Sequence, residues 1–226
     1  MNTLKLSFWL TMASIILISL SCNQHSDNNA DQTSVNQDSL KLIEQQNTQF
    51  EQHKKTGDSL MNAEAFELAA EHYHQALELT DDAQEIAMLE NKLSECEAAI
   101  EYQNSPIGKT EKLLLGKRVF GIQFIWDGYG SALIAKENDI LTIDGKQFSK
   151  DKTEYCKLKG SITIIDERKL RIDGDIEIYT HDCCGLIKKS GSFHFLKSGN
   201  RKYWRWQEFG QYCSIYTCAY YLDIFE

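Results

Sequence analysis

The chain has almost no proline, and its first half has almost no glycine. Pro106 is the only proline in 226 residues, Gly57 is the only glycine before it, and the other twelve glycines follow it. Glycine and proline interrupt regular structure and mark turns. A half without them favours helices, and a glycine-rich half favours short strands joined by turns. The composition therefore predicts an α+β protein of two domains, with a linker at residues 103–112.

Basic residues are also in short supply. Removing residues 1–21, which carry one lysine and no acid, leaves 23 basic against 33 acidic residues, a balance of −10. Neutralisation of phosphates by lysine and arginine supplies most of the affinity for nucleic acids. We therefore expect no nucleic-acid partner.

The familiar catalytic and metal-binding motifs are missing. The chain has no G-x-S-x-G, no phosphate-binding glycine loop, no paired C-x-x-C and no H-E-x-x-H. The run from His181 to Cys184 contains residue types that bind zinc or copper, but adjacent cysteines rarely both reach one tetrahedral ion. His72 and His74 are two apart on a predicted helix and point to different sides. We predict no enzyme activity, no cofactor and no metal site.

Residues 6–20 form an apolar stretch preceded by Lys5 and followed by Ser21 and Cys22. A bilayer span needs roughly 20 residues, so this stretch suits a signal peptide over residues 1–21. Its end resembles the lipobox of bacterial lipoproteins, which implies lipidation of Cys22. The residue after the cysteine is Asn23 and not an acidic residue, which by resemblance to known lipoprotein sorting rules implies the outer membrane. Residues 22–37 are polar and predict a disordered tether. An ordinary cleaved signal beside a chance cysteine is the alternative.

Residues 38–102 repeat apolar side chains with helical spacing. The stretch KKTGDSLMNAEAFELAAEHYHQALEL resembles a tetratricopeptide repeat (TPR), with Gly57 where two helices cross and Tyr73 between Ala69 and Ala76. Only one repeat is legible, followed by a helix that would act as a cap. Such a TPR-like module could recruit a protein partner, or it could be a purely structural helical hairpin, since stacked repeats need about three units.

Residues 113–226 change to short runs rich in isoleucine, phenylalanine, tyrosine and tryptophan, separated by turn signals. This spacing predicts about eight antiparallel strands in a barrel or a sandwich. A meander that closes on itself is the simplest topology, because closure removes unpaired edges.

The stretch SGNRKYWRWQEF alternates, with Trp204 and Trp206 on one face. Two tryptophans on one face are best explained as core, and an exposed binding platform is the alternative. The stretch resembles the C-terminal β-domain of a family of uncharacterised secreted proteins and lipoproteins from Gram-negative bacteria. That resemblance implies a disulfide from Cys183 or Cys184 to Cys213.

Exported proteins meet an oxidising compartment, so further disulfides are expected; the candidates are Cys183, Cys184, Cys213, Cys156 and Cys218. We predict a lipoprotein of the outer membrane that acts as a non-enzymatic binding or scaffolding module. One alternative is a barrel that binds a small ligand inside, against Trp204, Trp206 and Phe124. The other is a cell-envelope enzyme, for which no residues can be nominated.

Overall fold

The computed structural model describes residues 31–125, 127–181, 183, 185–211 and 221–226, without the side chains of 31–36 and 211. The predictions on the signal peptide, Cys22, Cys184, Cys213 and Cys218 lie outside the described residues. The chain divides into two compact units, residues 1–48 and 49–226. The second unit contains the barrel and most of the helical residues.

Four helices precede the strands in the described part of the chain: α1 Asp31–Asn62, α2 Phe66–Leu77, α3 Ala83–Asn104 and α4 Pro106–Leu114. None of these helices combines the length and the apolar character that a membrane crossing requires. Helix α1 begins inside the stretch for which the sequence predicts a tether. Helix α4 occupies most of the predicted linker, because the Ser105 hydroxyl accepts from the amide of Gly108 and Pro106 stands at the first turn.

Helices α1, α2 and α3 pack around the ring of Tyr73 in the second unit. A Cβ added to Gly57 would lie 2.5 Å from that ring, so only glycine permits this approach. The Tyr73 hydroxyl donates to a carboxylate oxygen of Asp58 at 2.8 Å, and the Lys92 ammonium binds the same oxygen. Burial and this hydrogen bond raise the pKa of Tyr73. A single buried aromatic side chain thus joins three helices.

Eight strands follow in the described residues: β1 Gly116–Ile122, β2 Gly130–Glu137, β3 Ile140–Phe148, β4 Tyr155–Asp166, β5 Lys169–Thr180, β6 Gly185–Leu196, β7 Tyr203–Trp206 and β8 Leu222–Phe225. Each strand is antiparallel to the next, and β8 pairs with β1 to close the barrel. The prediction of an α+β fold with an antiparallel β-domain is confirmed, and the barrel is the correct alternative.

Three glycines meet side by side across β4, β5 and β6. Gly160 is paired with Gly174, and Gly174 with Gly191. A Cβ on Gly174 would lie 2.1 Å from the backbone oxygen of Lys159, so the strands approach too closely for any side chain. Barrels use such glycine positions to turn the sheet sharply. We interpret this row as the bend that lets the sheet close.

Helix α4 is attached to the barrel at the start of β1. Leu114 is fully buried in the barrel's hydrophobic core. The Arg118 guanidinium donates to the carbonyl oxygens of Leu114 and Leu115, which lie at the end of the helix. The helix is therefore part of the barrel's packing.

Candidate functional site

The inward face of the barrel is filled by its own apolar side chains. Alternate residues are buried along much of β2, β3, β4, β5 and β7, as a half-buried strand requires. The buried inward residues are Phe120, Ile122, Ala132, Ile134, Leu141, Ile143, Cys156, Leu158, Ile162, Leu170, Ile172, Ile176, Ile178, Ile187, Phe193, Phe195, Trp204, Trp206, Leu222 and Ile224. Barrels of this strand number have interiors that side chains can fill.

Trp204 and Trp206 lie in this core. Trp204 has no exposed surface and Trp206 has 2%. The Trp206 ring makes edge contacts with Phe193 and Phe209, with centroids 5.7 and 5.6 Å apart. Phe124, the third aromatic residue proposed to face a ligand, is partly buried and packs against the same core. The indole nitrogen of Trp204 has no hydrogen-bond acceptor among the described residues.

The outward face of β7 carries a buried ion pair. The guanidinium of Arg205 donates two hydrogen bonds, of 2.8 and 2.7 Å, to the two carboxylate oxygens of Asp223 on β8. The rings of Tyr221 and Tyr203 lie 3.9 and 4.9 Å from the guanidinium carbon. Asp223 is 1% exposed. Its pKa is raised, because burial outweighs the hydrogen bonds from Arg205.

Gln147 fixes the loop between β1 and β2 to the barrel. Its side-chain oxygen accepts from the amide of Ile122 at 2.7 Å, and its nitrogen donates to the carbonyls of Ile122 and Gly128 at 3.0 and 2.9 Å. The loop between these anchors carries Phe124 and buried Ile125. These hydrogen bonds explain why a polar residue occupies a fully buried strand position.

The loops after β1, β3 and β5 surround an open cavity of about 740 Å³. We call this the rim site; its residues are Asp127, Ser149, Lys150, Asp151, Thr153, Glu154 and His181. Glu154 accepts from the backbone amide of His181 at 2.8 Å, which ties two of the loops together. Asp127 accepts from the amide of Lys150 at 2.6 Å. Hydrogen bonds from Ser149 and Thr153 lower the pKa of Asp151 to about 2.

The rim site is polar and carries more acidic than basic groups. It therefore suits polar or cationic ligands better than anions. The part of the chain that the structure describes contains no group of three or more side chains placed to hold a metal ion. Of these residues only His181 stands out in the sequence, as the first residue of the run to Cys184; the others come from separate loops and share no motif.

The structure corrects one disulfide candidate. Cys156 is a free thiol, completely buried at an inward position of β4. The strand alternation points its sulfur into the apolar core, and burial raises its pKa. Cys96, between the helices, is also free and buried, and burial raises its pKa too. Cys183 is half-buried and packs against the barrel core.

We expect the thiols of Cys96 and Cys156 to resist alkylation in the native protein at pH 8 and to react only after unfolding. The reagent cannot reach a buried thiol, and a raised pKa leaves little of the reactive thiolate at this pH. Peptide mapping after native and denaturing labelling measures this, and Cys156→Ser should remove one labelled site under denaturing conditions only. Rapid native labelling of either cysteine would contradict the packing described above.

Comparison with known proteins gives a family model and a relative. A family model described as the PM1083 family matches residues 97–226, which include the end of α3, α4 and the barrel. The chain is similar to an uncharacterized protein, PM1083, of Pasteurella multocida (strain Pm70). The two are 31% identical over 122 residues, which cover 53% of this chain and 77% of the relative. No solved structure matches the chain.

Proposed function

The chain belongs to the PM1083 family, and from this premise we propose that it is a lipoprotein of the outer membrane that acts as a non-enzymatic binding or scaffolding module. The lipid on Cys22 would hold it at the membrane. The barrel would be a rigid support, and binding would occur at its loops and at the helices. We expect no nucleic-acid partner, because the chain is acidic.

The filled barrel interior is the observation that carries this proposal. Proteins that hold a ligand inside a barrel need unfilled volume lined by a few polar groups. Here most of the buried inward positions carry apolar side chains, including two tryptophans, packed against one another, and the buried amide of Gln147 is hydrogen-bonded to the backbone. The rim site, in contrast, is an open cavity with polar groups from three loops. A binding role is therefore better supported at the rim than in the interior.

A small ligand inside the barrel is the second candidate function. The buried indole nitrogen of Trp204 favours it, because a buried donor without an acceptor costs about 1–3 kcal/mol. A ligand with a carbonyl or hydroxyl oxygen would supply that acceptor. It would have to displace side chains that now fill the core.

The helices offer a second surface for a protein partner. A cavity of about 540 Å³ lies beside the turn after α1 and the junction of α3 and α4. Ala63, Tyr102 and Leu115 give it an apolar part, and its charged residues are of both signs: Glu64, Glu67 and Glu111 with Lys109 and Lys112. We propose that a partly apolar segment of a partner that also carries charges of both signs would fit there.

We also propose a disulfide from Cys183 to Cys213. The resemblance to secreted relatives implies this pairing, with Cys184 as the alternative first partner. A bridge of this kind would tie the turn after β5 to the segment before β8. Cys218 would then remain as a further candidate.

Fractionation of cells that express the chain tests the anchor. We expect the wild-type protein in the membrane fraction and the Cys22→Ser variant in the soluble fraction, because two or more acyl chains are needed for stable anchoring. Ser26→Ala, four residues away in the predicted tether, is the matched control and should stay in the membrane fraction. A Cys22→Ser variant that remains in the membrane fraction would overturn the anchor.

A further inference from the structure

Two histidines from different helices face each other in the second unit. His53 on α1 and His72 on α2 bring their Nδ1 atoms to 3.0 Å, with ring centroids 5.3 Å apart and a tilt of 33°. Both side chains are half-buried. The pair therefore holds two imidazole nitrogens at a fixed separation.

Two imidazole nitrogens at this distance need a positive centre between them. If both rings carried their proton on Nε2, the two Nδ1 lone pairs would face and repel each other. A proton on one Nδ1 resolves the conflict through a hydrogen bond. A metal ion bound to both nitrogens resolves it equally well, and neutral imidazole is a common metal ligand.

The separation favours some ions over others. With metal–nitrogen bonds of 2.0–2.1 Å, nitrogens 3.0 Å apart subtend an angle of about 94° at the metal. A tetrahedral ion such as Zn²⁺ would require a separation of about 3.3 Å with the same bond lengths. Square-planar coordination by nitrogen and oxygen is typical of Cu²⁺ and Ni²⁺, and Cu²⁺ binds most tightly of the divalent series.

The surrounding charge also favours a cation. Residues 49–115 contain fourteen acidic and five basic residues, a balance of −9. The ammonium of Lys54, next to His53, is held by Glu85 at 3.0 Å and by Glu51 at 3.5 Å. The local field therefore raises the concentration of divalent cations near the pair.

We infer that His53 and His72 form a Cu²⁺ site that links α1 to α2, with water completing the coordination. The inference is independent of the proposed function. On binding, the ring that carries its proton on Nδ1 would change to the Nε2 tautomer by exchange with water, so that both neutral rings offer an Nδ1 lone pair to the ion and no proton is released overall. Because the ligands come from two helices, bound Cu²⁺ would stabilise the folded helical residues.

Isothermal titration of the full-length chain, made without a histidine tag, with Cu²⁺ tests this site. We expect the wild type to bind one Cu²⁺ and the His53→Gln and His72→Gln variants to lose about tenfold or more in affinity. His74→Gln, on the same helix but on another side, is the matched control and should bind like the wild type. Cu²⁺ should also raise the midpoint of thermal unfolding of the wild type and of His74→Gln, but not of the other two variants.

Equal affinities in all four proteins, or no binding by the wild type, would overturn the inference. Electron paramagnetic resonance of the wild type with one equivalent of Cu²⁺ provides a test that does not depend on the folding of any variant. Two coordinated imidazole nitrogens are expected. One or none would also overturn it.

Discussion

Replacing Trp204 with alanine is expected to lower the free energy of unfolding by about 3–5 kcal/mol. The side chain is fully buried, and it is among the largest in the barrel core. Removing it discards apolar burial and leaves a cavity that neighbouring strands cannot fill, because closure of the sheet restricts their movement. Denaturant unfolding measured by circular dichroism gives the value.

Two variants serve as comparisons for Trp204→Ala. Trp206→Leu keeps a large apolar side chain at the neighbouring inward position and should cost less. Tyr129→Ala removes an aromatic ring that is 44% exposed and should change stability by less than about 1 kcal/mol. A Trp204→Ala variant as stable as Tyr129→Ala would mean that the barrel interior is not packed around this residue.

Replacing Asp223 with alanine is expected to cost about 3–5 kcal/mol of folding stability. The change leaves the Arg205 guanidinium largely buried with neither of its two hydrogen bonds to the carboxylate. A buried charge without a partner is strongly destabilising, whereas the intact pair compensates for part of its own desolvation. Thermal or denaturant unfolding measures the loss.

The double variant Arg205→Met and Asp223→Leu separates the pair's net contribution from the cost of breaking it. We expect it to be more stable than Asp223→Ala, since no unpaired charge remains. Asp173→Asn, which breaks the exposed pair with Arg171, is the surface control and should have no measurable effect. A double variant no more stable than Asp223→Ala would show that the packing of this outer face, rather than charge pairing, sets the loss.

The sequence pattern predicts the helices and strands correctly where the structure depends on residues that are close together in the chain. The alternation of YWRW places both tryptophans inward, as the strand period requires. The glycine-poor half is helical and the glycine-rich half is the barrel. Gly57, which the resemblance to a tetratricopeptide repeat places where two helices cross, lies against Tyr73. In the first two cases the neighbours of a residue along the chain decide its environment, and in the third the resemblance implied the contact.

Features that depend on distant residues could not be predicted in this way. Asp223 points outward and should be exposed by alternation, yet it is buried and bound by Arg205 on the neighbouring strand. The sequence places His72 two residues from His74, whereas its partner in the structure is His53 on another helix. The rim site is assembled from three loops, and Cys156 is buried by its strand register rather than bridged. Each of these results from tertiary contacts that no periodicity encodes.

We propose above all that a lipid on Cys22 anchors a barrel filled by its own side chains. Mass spectrometry of the chain extracted from membranes, recorded first under native and then under denaturing conditions, tests both parts in one measurement. The account predicts a chain that begins at Cys22 with the added mass of acyl groups, and no apolar molecule that is retained in native conditions and lost on denaturation. An apolar molecule of that kind would contradict the filled interior, and a chain without acyl groups would contradict the anchor.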